Sequence, residues 1–379
     1  LIGVPEPDVD QRPHVIFLPY LPLREPVDIG PWVLSPIDAF GGPWLSARFE
    51  DLCHQFIAAF RGQGGETLPR PTIVTDRTDG CCGTSPTDDE LVALRRAIEF
   101  AALDQNPARN EHNKTGSLAA MTAITTDNTA LHVWPVDLAD GFVAVETGLV
   151  VRTVAGGYQI DDKLAITPPQ ELRMPLGDMT LDSEIAGVLY EVIAGESDHV
   201  GADDAARIER TLGWLAKAWQ NTPSITWEDR IVFLKTGFEA LTSNGSTPGA
   251  ATKLRSLFEQ VIVGDLVDAV DHLLWSPNEP ARWQRTDRNG TVLQGTDLEH
   301  WFWRMGNARN EVIHGGAAST LVYDEDDSAY KGHMFHTGKR LLREVVRVEL
   351  ARLGCGDLFV PLTVRKMADH VRRIQPVIS

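Results

Sequence analysis

The sequence predicts an α+β N-terminal half containing an antiparallel β meander, followed by an all-α helical half. Three observations carry this. Short β-branched runs, punctuated by glycines, cluster between residues 115 and 172. Beyond residue 203 apolar side chains recur at helical spacing. Between the two patterns lies a small, polar stretch, Gly195-Glu196-Ser197-Asp198-His199-Val200-Gly201-Ala202-Asp203-Asp204, where the boundary is placed. The expected domains are therefore residues 1–200, with a sensing or targeting role, and residues 203–379.

In the first half, Val15-Ile16-Phe17-Leu18 and the many prolines around it predict extended segments and loops. Phe49, Leu52, Phe56 and Phe60 have helical spacing, and Gly62-Gln63-Gly64-Gly65 ends that helix. Thr87 and Glu90 form a capping box. The helix it opens should run to about Leu103, with Leu91, Leu94 and Ile98 inward. Leu131-His132-Val133-Trp134, Phe142-Val143-Ala144-Val145 and Leu149-Val150-Val151-Arg152-Thr153-Val154 then read as one meander, broken at Asp140-Gly141 and Gly156-Gly157.

In the second half, Ile208, Leu212, Leu215 and Trp219 make one apolar stripe. Thr226 caps a helix that buries Ile231, Leu234, Phe238 and Leu241. Leu254, Leu257, Phe258 and Val261 predict a third helix. Thr296 and Glu299 form another capping box, opening a helix through Leu298, Trp301, Phe302, Met305, Ala308 and Val312. Gly315 is placed to stop it. A last helix is expected around Leu341, Leu342, Val345, Val346 and Leu350.

Composition narrows the class of protein. A chain of 379 residues with 43% hydrophobic content supports sizeable cores and excludes wholesale disorder. No run of about 18 apolar residues predicts a membrane span. The segment Leu1 to Asp8 is acidic and Pro-rich, without the basic and apolar regions of a signal peptide, so none is expected. Cys53, Cys81, Cys82 and Cys355 lack zinc spacing and read as cytoplasmic thiols. The formal net charge of −18 opposes casual nucleic-acid binding. From Lys331 to Ser379, however, three Lys and seven Arg face two Glu and two Asp, a local excess of basic charge. That asymmetry points to an anionic partner or to a solvated basic helix face.

The run Arg309-Asn310-Glu311-Val312-Ile313-His314-Gly315-Gly316 places an arginine and a titratable histidine at a helix end. On a straight helix Arg309 and His314 are about 140° apart and about 7.5 Å along the axis, so they do not share a face. Asn310 and His314 do, at i and i+4, so Asn310 can orient the imidazole. Arg309 must then reach across, or the helix unwind at the glycines, or a second subunit complete the pocket. These groups suit attack of an RNA 2′-hydroxyl on the adjacent phosphate. Histidine serves as general acid or base. Arginine holds the phosphate oxygens. RNA supplies its own nucleophile, so no metal or cofactor is expected. The same spacing also fits a helix-end histidine satisfying a carbonyl beside a solvent-facing arginine.

This run resembles the signature of HEPN domains, in which an Arg, a polar residue, a short spacer and a His end a helix within a small bundle. The resemblance covers roughly Asp204 to Ile378. The segment from Arg230 to Leu241 is similar to the opening helix of the ApeA-like branch, and Leu254 to Ile262 fits its second helix. The resemblance implies a HEPN-like bundle and a metal-independent endoribonuclease acting on tRNA or mRNA. It also implies a homodimer with a composite site built from Arg309, Asn310 and His314 of both subunits. Many such proteins act in antiphage defence, by abortive infection, or as toxins. A non-catalytic HEPN scaffold that dimerises and binds a nucleotide or a partner protein is the alternative.

Other candidates are weaker. Glu239, on an apolar helix, is either a buried partner for Arg309 or Arg304 or an ordinary surface glutamate. His333 and His336 have metal-ligand spacing but no third ligand nearby. Gly332 to Arg340 departs from a P-loop in its glycine spacing and in lacking Ser or Thr after Lys339. Trp301 and Trp303 flank Arg304 and read as core or dimer packing, or as a platform for a base.

Overall fold

The computed structural model describes residues 14–43, 45, 47–60, 68, 70–77, 86–104, 126–135, 142–144, 150–154, 157–160, 179–220, 224–243, 249, 252–254, 256, 283–286, 292–295, 302, 305–306, 309–310, 338, 342–343 and 345–355. The chain divides into two compact units: Leu1–Ala194 with Asn221–Pro223, and Gly195–Gln220 with Ser224–Ser379.

The first unit is built on a five-stranded antiparallel sheet. Its strands are β1 (His14–Leu18), β2 (Val27–Ile29), β3 (Trp32–Pro36), β4 (Thr72–Asp76) and β5 (His132–Pro135), in the order β2-β3-β4-β1-β5. β1 lies between β4 and β5 and buries consecutive residues from Val15 to Leu18, so both of its faces are covered. Helix α1 (Ala47–Ala59) lies over the Val15 and Phe17 face. Phe49, Leu52, Cys53 and Phe56 of α1, with Phe60 just beyond it, join those strand residues in one core. Phe17 and Phe60 meet at 5.1 Å, and Trp134 of β5 closes on Phe60 at 5.5 Å.

Helix α2 (Asp88–Asp104) begins at the expected capping box. The Glu90 backbone N–H donates to Thr87 Oγ1 at 3.2 Å, and the Thr87 N–H donates back to Glu90 Oε2 at 2.7 Å. Leu94 and Ile98 are buried, while Leu91 is half-buried. Helix α3 (Ser183–Ile193) packs on α2 and β2. Asp182 caps it by accepting from the Ile185 N–H, a signal the sequence analysis did not use. In the β2–β3 turn Gly30 has φ +55°, and a Cβ there would stand 2.4 Å from Cδ1 of the buried Tyr190 on α3. Only glycine allows that turn to sit on the tyrosine ring.

A separate three-stranded antiparallel sheet joins β6 (Phe142–Ala144), β7 (Val150–Val154) and β8 (Gly157–Ile160). The meander is therefore present, but with a different membership. The run at His132 leaves it and pairs with β1, His14 opposite Pro135 and Phe17 opposite His132. Burial decides this: Trp134 packs on the first core, which a place in the meander would deny it.

The second unit is mostly helical. Helices α4 (Ala202–Ala218) and α5 (Trp227–Thr242) pack along each other. The stripe of Ile208, Leu212, Leu215 and Trp219 is buried, as are Ile231, Leu234, Phe238 and Leu241. Thr226 and Asp229 form a reciprocal capping box at the start of α5. Ser243, at φ +50°, terminates it in the left-handed conformation. Trp214 stacks on Phe233 at 5.9 Å. Further helical backbone occurs at 252–254, at 302, 305–306 and 309–310, and at 342–343 and 345–352. Leu254, Phe302, Met305, Leu342, Val345, Val346 and Leu350 are buried there.

This unit is not all-α. A hairpin of β9 (Trp283–Thr286) and β10 (Val292–Gly295) pairs Trp283 with Gly295 and Thr286 with Val292. The intervening residues include Asn289-Gly290, a turn signal between two short runs that the helical periodicity elsewhere obscured.

Candidate functional site

The site is assembled on α5 and on the helical backbone that carries Phe302, Met305, Gly306 and Arg309. Residues spaced three, four and seven apart share one helix face. Phe302, Met305 and Gly306 are all buried, and Arg309 continues their face, half-buried. Asn310 is exposed. Arg309 nevertheless bends toward it: its Nη1 donates to Asn310 Oδ1 at 3.1 Å. Arg309 Nε is buried and has no hydrogen-bond partner among the described residues.

Beneath Arg309 lies Lys235 of α5, fully buried and one of the few charged side chains in the core. Its Nζ donates to Glu239 Oε1 at 2.9 Å, one turn along the same helix. It also sits 4.4 Å from the centroid of the Phe302 ring, a cation–π contact strengthened by the absence of water. Phe238 meets Phe302 edge-on at 5.3 Å and completes the apolar wall. Burial pushes the Lys235 pKa below its ordinary value; the Glu239 carboxylate opposes this and the nearby Arg309 charge adds to it. Among the described residues Glu239 answers Lys235, and the Arg309 charge adds to the positive potential beside that pair.

Glu239, with its side chain 14% exposed, engages Lys235, and among the described residues it makes no ion pair with Arg309. Arg304, His314, Asn307, Trp301, Trp303, His333 and His336 lie outside the described residues. Among the described residues, no group of three or more His, Cys, Asp or Glu is arranged to hold a metal ion. Lys235 escaped the sequence analysis because lysine on an amphipathic helix ordinarily marks the solvent face. Its signal was positional. Ile231, Leu234 and Phe238 bracket it, so it falls within the apolar arc rather than opposite it.

A second polar constellation stands at the C-terminal end of α5. Arg207 Nη1 donates to the Leu241 carbonyl at 2.6 Å, and its Nη2 bonds both Asp204 and Glu349. Arg352 grips Glu349 with Nε at 2.9 Å and Nη2 at 2.7 Å. Burial pulls the Arg207 pKa down, but hydrogen bonds and charge from Asp204 and Glu349 outweigh it and leave the pKa raised. The carboxylate of Glu349 is 4% exposed and held between two guanidinium groups, the arrangement that makes a buried carboxylate tolerable.

No protein-family model, curated protein or solved structure matches this chain. The fold defines the class: an antiparallel-sheet α+β unit followed by a mostly helical unit. Among the described residues, no helix is long and apolar enough to cross a membrane.

Proposed function

We propose that the chain is a metal-independent endoribonuclease of the HEPN type, with its site at Arg309, Asn310 and His314. The observation that carries this is the state of Arg309. Its guanidinium is held by Asn310 alone among the described residues, forms no ion pair with any of them, and keeps a buried unpartnered Nε. With no carboxylate on it among the described residues, Arg309 has donors to offer a phosphate.

In the proposed reaction His314 takes the proton from an RNA 2′-hydroxyl as that oxygen attacks the adjacent phosphorus. The bond from phosphorus to the 5′-oxygen breaks, and the leaving oxygen takes a proton from an imidazolium. In a homodimer the second copy of His314 supplies it. Arg309 neutralises the charge developing on the phosphate oxygens. The products are a 2′,3′-cyclic phosphate and a 5′-hydroxyl. Cytoplasmic tRNA or mRNA is the proposed substrate, a homodimer the proposed assembly, and antiphage defence or toxicity the proposed setting. The test is cleavage of RNA by purified protein in EDTA, compared with Arg309→Ala.

The second reading is a non-catalytic scaffold of the same bundle type. The net charge of −18 favours it, because an acidic protein repels RNA at long range. A wild-type protein that dimerises yet cleaves no RNA, tRNA included, decides for the scaffold.

A further inference from the structure

The cavity at the end of α5 lies apart from Arg309 and has its own chemistry. It measures about 350 Å³ and is lined by residues of α4, α5, the 252–256 region and the 345–352 helix. Among the described residues three cations line it, Arg207, Lys253 and Arg352, against two carboxylates, Asp204 and Glu349. A helix C-terminus ordinarily presents negative potential. Here its last carbonyls are already covered: Arg207 takes Leu241 O, and Lys253 Nζ donates to Thr242 O at 2.7 Å. Glu349 is likewise enclosed by Arg207 and Arg352. Glu349 and these two carbonyls are therefore satisfied from within the fold, while Asp204, 37% exposed, gives one oxygen to Arg207.

Beside that one partly exposed carboxylate the cavity carries a larger set of donors. Lys253 uses one of its three N–H groups on Thr242 among the described residues. Arg352 uses Nε and Nη2 on Glu349, and its Nη1 makes no hydrogen bond among the described residues. Ser243 and Ser256 also line the cavity. An ammonium, a guanidinium edge and two hydroxyls from separate segments suit a tetrahedral oxyanion better than a planar carboxylate. The volume exceeds that of a bare phosphate and falls in the range of small-molecule sites.

We propose that this cavity binds the phosphate group of a small phosphate monoester, with Lys253 and Arg352 as its principal charges and Ser243 and Ser256 as supporting donors. None of these residues belongs to the proposed ribonuclease site, so either assignment survives failure of the other.

The test is calorimetric titration of the full chain with inorganic phosphate, then with AMP and with adenosine. Saturable phosphate binding is expected, with AMP displacing phosphate and adenosine failing to bind. Lys253→Ala and Arg352→Ala should each weaken binding by about tenfold or more, the loss of one charge-assisted contact. Arg77→Ala, which removes an exposed cation in the other unit, should leave it unchanged. Lys253 is exposed, so its variant should fold normally, and equal melting temperatures verify this. Absence of saturable phosphate binding, or binding undiminished in Lys253→Ala, overturns the site. Phosphate binding that AMP cannot displace overturns the monoester.

Discussion

The Arg309 guanidinium turns toward its own chain neighbour: Nη1 donates to Asn310 Oδ1 at 3.1 Å. Adjacent helical residues point about 100° apart, so this bond forms only because the arginine arm folds across the helix surface. It draws a half-buried cation toward the exposed side on which Asn310 stands. That is also the side that position 314 would share if the helix continued, four residues on. In the proposed ribonuclease site, Asn310 would position Arg309.

Asn310→Ala should therefore lower kcat for RNA cleavage by about tenfold while leaving the fold intact, a loss of about 1.4 kcal/mol in the transition state. Asn310→Asp should be worse, because a carboxylate there would neutralise the guanidinium that the phosphate needs. Steady-state kinetics on a short RNA separate the two. Equal activity in both variants would sink the positioning role.

The buried pair of Lys235 and Glu239 sets a second expectation. Lys235→Met leaves the 14%-exposed Glu239 carboxylate without its ammonium partner, and should cost about 3 kcal/mol. Adding Glu239→Leu should recover most of that, since an apolar pair replaces the ion pair. Chemical unfolding followed by tryptophan fluorescence measures the cycle. Additive losses would show that the two side chains are not energetically coupled.

Gly237 reports on helix packing. A Cβ there would stand 2.9 Å from Leu342 Cδ2 and 3.5 Å from Trp214 Cβ. Gly237→Ala should come within about 1 kcal/mol of wild type, because the flexible Leu342 tip yields and alanine favours the helix. Gly237→Val has branches that must displace Trp214 or Leu342, and should cost about 1–3 kcal/mol. Thermal unfolding of the two variants distinguishes close packing from a tolerant surface.

His132 makes stability depend on pH. Burial lowers its pKa below the ordinary 6.5, with its ring 5.4 Å from that of Phe17. The unfolded chain therefore takes up a proton at His132 before the folded chain does. The resulting stability is fully present above 6.5 and is lost as pH falls through the lowered folded value. The melting temperature should fall between pH 7.5 and 5, and the slope should be shallower in His132→Gln. An unchanged slope would assign the acid sensitivity to other groups.

The helices were legible where local chemistry announces them. Thr87 with Glu90, the Thr226 cap, and the stripe from Ile208 to Trp219 are each contained within a few turns of chain. The sheet was less so. Whether His132–Pro135 joins β1 or the meander depends on a partner more than a hundred residues away, and alternation alone cannot choose. The β9–β10 hairpin had its Asn289-Gly290 signal, but lay between two strongly helical regions. At the candidate site, Arg309 and Asn310 were readable as helix-borne polar residues. Lys235 was not, because its role depends on Phe302 and Arg309 arriving from a distant helix.

The most direct test of the ribonuclease assignment is the chemistry of cut RNA ends. Wild type, Arg309→Ala and His314→Ala are incubated with total tRNA in excess EDTA, and the products mapped. The account predicts 2′,3′-cyclic phosphate and 5′-hydroxyl ends from wild type, and no cutting by either variant at unchanged melting temperature. Cleavage that persists in both variants, or that EDTA abolishes, would contradict it.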